Sequence, residues 1–140
     1  MHDNSLKQTL FENKYLKLVY LIDYSLIILE WKNETENMSL ADFNKTISYV
    51  KGFIVRLQPK RFFNNLSNFN FVVDTELTSS PKEVFSLLAS IKGFGKQAMI
   101  LPKKNVYAHM AIFKLLDKLK PSFVYDIFIN EDDALEWLKS

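Results

Sequence analysis

Cysteine is absent from this chain of 140 residues, and glycine occurs only three times. Without cysteine the protein has no disulfide and no thiolate metal site, and so few glycines exclude a glycine-rich phosphate loop. Long hydrophobic runs are missing as well. Lys17, Asp23 and Ser25 interrupt the longest apolar stretch, 16–29, whereas a membrane span needs about 20 apolar residues. The net charge is only +2, too small for overall charge to imply a nucleic acid or an acidic membrane.

The remaining composition is typical of one globular domain. Hydrophobic residues make up 48% and charged residues 24% of the chain, and neither an internal repeat nor a Pro/Gly-rich linker divides it. We therefore predict a single domain over 1–140, with 1–13 as a flexible or loosely packed N-terminal segment. The N-terminus lacks the apolar core of a secretory signal, so we expect a cytoplasmic protein.

Apolar periodicity predicts alternating strands and helices. Two apolar runs around the turn at Asp23 predict a β-hairpin, and the first long helix begins where Ser39 forms a capping box with Asp42 and ends before Pro59. Residues 68–77 are ambiguous. The predicted strands are 15–22, 26–31, 61–66, 96–101 and 123–129, and the predicted helices are 40–57, the segment between Ser80 and Gly93, 104–119 and 131–139.

The order β-β-α-β-α-β-α-β-α predicts an α/β fold, because strands that alternate with helices pair in parallel through helical crossovers. We expect a mixed sheet of about five strands with an N-terminal β-hairpin, about four helices, and a single layer of helices packed against the sheet.

Three segments carry a family resemblance. They are the hairpin and long helix over 15–57, the segment Asn65-Leu66-Ser67-Asn68-Phe69-Asn70-Phe71-Val72, and the ending 126–129 followed by Asp133-Ala134-Leu135-Glu136-Trp137-Leu138. These segments resemble the STAS-type fold of bacterial anti-sigma factor antagonists and, more closely, its divergent SpoIIAA-like relatives. The resemblance implies a regulatory module that binds protein partners.

The antagonists carry a phosphorylatable Ser in the motif Asp-Ser-Ser-Gly, and a partner kinase phosphorylates it to switch off its own binding. The matching residues here are Asp74-Thr75-Glu76-Leu77, after a one-residue insertion. Since Glu76 stands at the phosphorylated position and Leu77 replaces the glycine, the resemblance implies a domain without this switch. Two alternatives stay open: Thr75 is the acceptor instead, or Asp74, Thr75 and Glu76 only begin a helix.

Residues suited to catalysis or metal binding are few. The two histidines are His2 and His109, and His109 lacks a nucleophile motif and is predicted at the surface or boundary of a helix. One interior histidine does not make a zinc site, and the acidic run 131–133 fits the first turn of a helix better than a calcium loop. We therefore expect no enzymatic activity, no metal and no cofactor.

Charge and aromatic content bear on the partner. Seven lysines between 92 and 120 form a basic strip, but the strip has no arginine for bidentate phosphate or base contacts, so we expect a solvated helix face and no nucleic-acid binding. The aromatic residues exceed the needs of a small core, which predicts either an overfilled core or rings on a surface or around a cavity.

Two functions remain. The first is a non-enzymatic STAS-like protein-interaction or regulatory module that docks a partner through an edge containing Ser67, Phe69, Phe71, Asp74, Thr75 and Glu76. For this surface we expect replacement of Phe69 or Phe71 by Ala to abolish partner capture without unfolding the domain. The alternative is a carrier or sensor of a small apolar or lipid-like ligand, with Lys103 and Lys104 near its acidic headgroup. A homodimer is compatible with either function.

Overall fold

The computed structural model describes residues 6–71, 79–104 and 106–140. The described strands are β1 (Lys7–Glu12), β2 (Leu16–Leu21), β3 (Leu26–Trp31), β4 (Arg61–Asn65), β5 (Lys96–Ile100) and β6 (Val124–Phe128), and the helices are α1 (Leu40–Leu57), α2 (Ser79–Ser90), α3 (Val106–Leu119) and α4 (Glu131–Lys139). One sheet contains all six strands in chain order, with β1 to β3 antiparallel and β3 to β6 parallel. The predicted α/β fold, with its mixed sheet, antiparallel hairpin and four helices, is confirmed.

The sequence analysis predicts a flexible or loosely packed segment over 1–13, but residues 7–12 of this segment form strand β1. The strand pairs with β2 and contains a bulge between Thr9 and Phe11. Because of the bulge, the adjacent residues Leu10 and Phe11 both pack against the same core, and the ring of Phe11 stacks on Tyr49 of α1. A bulge breaks the two-residue alternation by which strands are recognised in a sequence.

Helix α1 begins and ends as its sequence predicts. The Ser39 side chain accepts a hydrogen bond from the Asp42 amide at 3.0 Å, and the Asp42 carboxylate accepts one from the Ser39 amide, which completes the capping box. The helix stops at Gln58, whose backbone is left-handed, immediately before Pro59. Helices α2 and α3 are also where they are predicted, although they begin at Ser79 and Val106.

The sheet is buried on both faces. On β4, Phe62 joins the core beneath α1, α2 and α3, whereas Phe63 joins a second core with Ala134 and Leu138 of α4. The predicted single layer of helices is therefore wrong, because α4 covers the face opposite to the other three helices. Crossovers of one hand that advance in one direction lie on one face, but α4 follows the last strand and is not a crossover. The apolar run 26–29 of β3 is typical of a strand buried on both faces.

Candidate functional site

The loops that follow β3 and β4 meet at the carboxyl ends of the parallel strands. In open α/β sheets, ligands bind at this end, in a crevice where the strand order reverses. Here the strands lie in chain order without reversal. No such crevice is therefore expected from the strand order at this end.

A buried threonine joins the two loops. Thr35 lies in a 3₁₀ turn (Asn33–Asn37) after β3 and is fully buried. Its hydroxyl donates a hydrogen bond to the Lys32 carbonyl at 2.8 Å and accepts one from the Asn70 amide at 2.9 Å. The Thr35 hydroxyl, which both donates and accepts a hydrogen bond, thus holds the loop after β4 against the loop after β3.

Ser67, a predicted interaction residue, is half-buried in the loop after β4. Its hydroxyl donates to the Asn65 side-chain oxygen at 2.8 Å, and its backbone amide donates to the same oxygen at 3.1 Å. The Lys103 amide donates to the Ser67 carbonyl at 3.2 Å. The structure therefore brings together Ser67 and Lys103, which the sequence analysis assigned to different functions.

Phe69 and Phe71 lie in the core, with exposed fractions of only 5% and 8%. Phe69 packs edge-on against Trp31 with ring centroids 5.1 Å apart, and Phe71 stacks on Phe43 of α1 at 5.1 Å. Neither ring is presented to a partner. The expectation that their truncation spares the fold is corrected here, because removing a buried ring leaves a cavity.

The other predicted residues are distributed differently. Asp74, Thr75 and Glu76 lie outside the described residues. Lys103 and Lys104 are exposed in the loop after β5.

A cavity of about 300 Å³ opens beside the carboxyl end of β3, and six of its seven lining residues are charged or amide side chains. They are Lys17, Glu30, Lys32, Asn33, Glu34 and Asn68, with Trp31 as the seventh. This polar lining differs from the aromatic pocket with Lys103 and Lys104 that the sequence analysis expects for an apolar ligand. Sequence reasoning missed the cavity, although Lys17 and Glu30 both interrupt apolar strands.

The cavity charges are placed by strand pairing. Lys17 of β2 lies directly opposite Glu30 of β3. Lys32 already has partners within the protein, since its ammonium lies 2.7 Å from the Glu12 carboxylate and donates a hydrogen bond to the Asn13 carbonyl at 2.8 Å. The hydrogen bond and charge of Lys32 lower the pKa of Glu12 below its usual range.

The second exposed feature is the outer edge of β6. The Val124 amide donates to the Gly95 carbonyl, so Val124 and Asp126 direct their backbone groups toward β5, and the alternate residues Tyr125 and Ile127 direct theirs outward. Val124 is 59% exposed, and Ile129, immediately after the strand, is 92% exposed. The edge therefore combines outward backbone groups with apolar side chains.

The described residues contain no cluster of three or more His, Asp or Glu side chains that would hold a metal. His109 is half-buried on α3, and its ring contacts the carbonyl oxygen of Pro102. No described helix is long and apolar enough to cross a membrane. Comparisons with protein-family models, curated proteins and solved structures find no match to this chain.

Proposed function

We propose that this protein is a non-enzymatic interaction or regulatory module that resembles STAS domains and binds a partner protein along the outer edge of β6. The observation that carries this proposal is the apolar exposure of that edge. Val124 and Ile129 are among the most exposed large hydrophobic side chains of the described residues. An edge strand with apolar side chains is a template for another strand.

The hydrogen-bonding groups of β6 fit an added strand only at the beginning of the edge. Among the described residues, no partner hydrogen-bonds to the outward amide of Tyr125. The next outward amide, that of Ile127, donates to the Asp126 side chain at 2.8 Å. Asp126 thus shields the second half of the edge, as charged residues on edge strands commonly do. The proposed partner segment is short and pairs around Tyr125.

This surface replaces the one expected around Ser67, Phe69 and Phe71, since the two rings are buried. Regulation through the antagonists' phosphorylatable serine is not part of the proposal, because the resemblance aligns Glu76 with that serine. The carrier of an apolar ligand is the weaker alternative, because the described cavity is lined mainly by charged and amide side chains.

The first experiment identifies the partner by placing a photo-cross-linking amino acid at Val124 in cells. The matched control places the same amino acid at Val55, an exposed apolar residue of α1. We expect one protein to cross-link at position 124 and not at position 55. A second copy of this chain as the only product would assign the edge to a homodimer. Equal products at both positions would contradict the proposed surface.

The second experiment measures the affinity of the identified partner for two variants. Tyr125→Pro removes the outward amide and leaves the hydrogen bonds to β5, because proline is tolerated on an edge strand when its missing N–H would face outward. Tyr125→Val keeps the amide and is the control. We expect the proline variant to lose binding and the valine variant to retain most of it, with the fold of both checked by circular dichroism. Equal binding by the two variants would rule out strand addition.

A further inference from the structure

The cavity beside β3 holds a lysine and a glutamate that form no ion pair with each other. Lys17 and Glu30 are opposite each other in the β2–β3 register, and both are half-buried. Among the described residues, neither side chain makes a hydrogen bond or an ion pair within 4.0 Å. Lys17 also lies opposite Glu12 in the β1–β2 register, and its charge contributes to the lowered pKa of Glu12. Two half-buried opposite charges that face a cavity without a direct hydrogen bond or ion pair are suited to a ligand that carries both charges.

The neighbouring charges determine which ligand fits. Lys32 is neutralised by Glu12 at 2.7 Å. Three cavity charges then remain, one positive on Lys17 and two negative on Glu30 and Glu34. Their electrostatic complement has one carboxylate and two cationic groups.

A second observation supports an excess of negative charge here. Glu131, in the first turn of α4, has a pKa above its usual range because burial and the nearby charges of Glu30 and Asp132 together outweigh the opposing charge of Lys7. Glu30 is therefore close enough to the start of α4 to repel another carboxylate, and a cationic ligand group beside Glu30 relieves this repulsion.

We infer that the cavity binds a free basic α-amino acid, with its carboxylate on Lys17, its α-ammonium on Glu30 and its side-chain cation toward Glu34. The cavity volume of about 300 Å³ lies at the lower end of the range for small-molecule sites. Asn33 and Asn68 supply amide groups along the wall. Such a site would make the protein responsive to amino-acid supply. It stands apart from β6, so it is tested independently of the proposed function.

Calorimetric titration with L-lysine and L-arginine tests this inference. We expect both to bind, L-leucine to bind more weakly and L-glutamate not to bind. The amide of L-lysine lacks the carboxylate and Nα-acetyl-L-lysine lacks the α-ammonium, so each should lose affinity by about tenfold or more, as expected for the loss of a charged hydrogen bond. No binding of either basic amino acid, or equal binding of L-glutamate, would overturn the assignment.

Variants then locate the site. Glu30→Gln and Lys17→Met should each weaken L-lysine binding by about tenfold or more. Glu83→Gln and Lys51→Met are matched controls, because they remove the same charges from an ion pair between α2 and α1 and should leave binding unchanged. The ligand series on the unmodified protein decides the question if a cavity variant fails to fold. Unchanged affinity in folded cavity variants would show that the amino acid binds elsewhere.

Discussion

The indole N–H of Trp31 donates a hydrogen bond to the side-chain oxygen of Asn64 at 3.0 Å. The bond joins the last residue of β3 to β4, and Trp31 is almost completely buried. An asparagine in a strand weakens the sequence prediction of that strand, yet here it satisfies a buried donor. Asn64 therefore stabilises the packing of β3 against β4 next to the cavity, which Trp31 also lines.

Replacing Asn64 by Leu should lower the free energy of unfolding by about 1–3 kcal/mol, because the buried indole N–H loses its partner. Urea unfolding measures the change. In a Trp31→Phe background the same replacement should cost much less, since the donor is gone. Equal losses in both backgrounds would show that the loss comes from packing and not from this hydrogen bond.

Replacing Phe69 or Phe71 by Ala should lower the free energy of unfolding by about 3–5 kcal/mol, because each ring fills the core between β3 and α1. Thermal and urea unfolding give the measurement. Tyr125→Ala removes a more exposed ring on β6 and should cost far less. Unchanged stability of Phe69→Ala or Phe71→Ala would show that the replaced ring is not a core residue and would make it a candidate for partner binding again.

Replacing Gln97 by Met should raise the free energy of unfolding by about 1–3 kcal/mol. Gln97 lies on β5 with an exposed fraction of 1%, and its side-chain oxygen has no hydrogen-bond partner in the described part of the chain. Methionine has a similar length and no polar group to desolvate. Gln8→Met on the exposed strand β1 is the control. A loss of stability in the Gln97 variant would mean that the amide is satisfied in solution.

Asp42 should make stability depend on acid pH. Hydrogen bonds from Ser39 and from the Tyr15 hydroxyl lower the pKa of Asp42 below its ordinary value of 3.8. The folded state therefore favours the carboxylate more than the unfolded state does. This contribution is fully present above the unfolded pKa and is lost as the pH falls through the folded pKa.

Asp42→Asn should accordingly be less stable than the unmodified protein at neutral pH, and the difference should shrink as the pH falls below 3.8. Urea unfolding over a series of pH values gives both curves. Asp117→Asn on the exposed side of α3 is the matched control and should leave the acid dependence unchanged. A constant difference between Asp42→Asn and the unmodified protein at all pH values would mean that the capping geometry matters and the charge does not.

Most helices and strands of the fold can be predicted from local sequence. Ser39 with Asp42, Pro59 and the apolar stripe define α1 because caps and periodicity act within a few residues. Strand β1 cannot be predicted in this way, since its bulge breaks the alternation of apolar and polar residues. The site is even less predictable from sequence, because Lys17 and Glu30 become neighbours only when β2 pairs with β3.

The sequence by itself determined the four helices and the strands from β2 to β6, since capping, turns and periodicity depend on near neighbours in the chain. Only the tertiary structure decided that α4 covers the opposite face of the sheet and that Phe69 and Phe71 are core residues. It also decided that β1 and β6 form the edges of the sheet and which charges face a cavity. These properties depend on contacts between residues far apart in the chain, and burial is a property of the whole packed molecule.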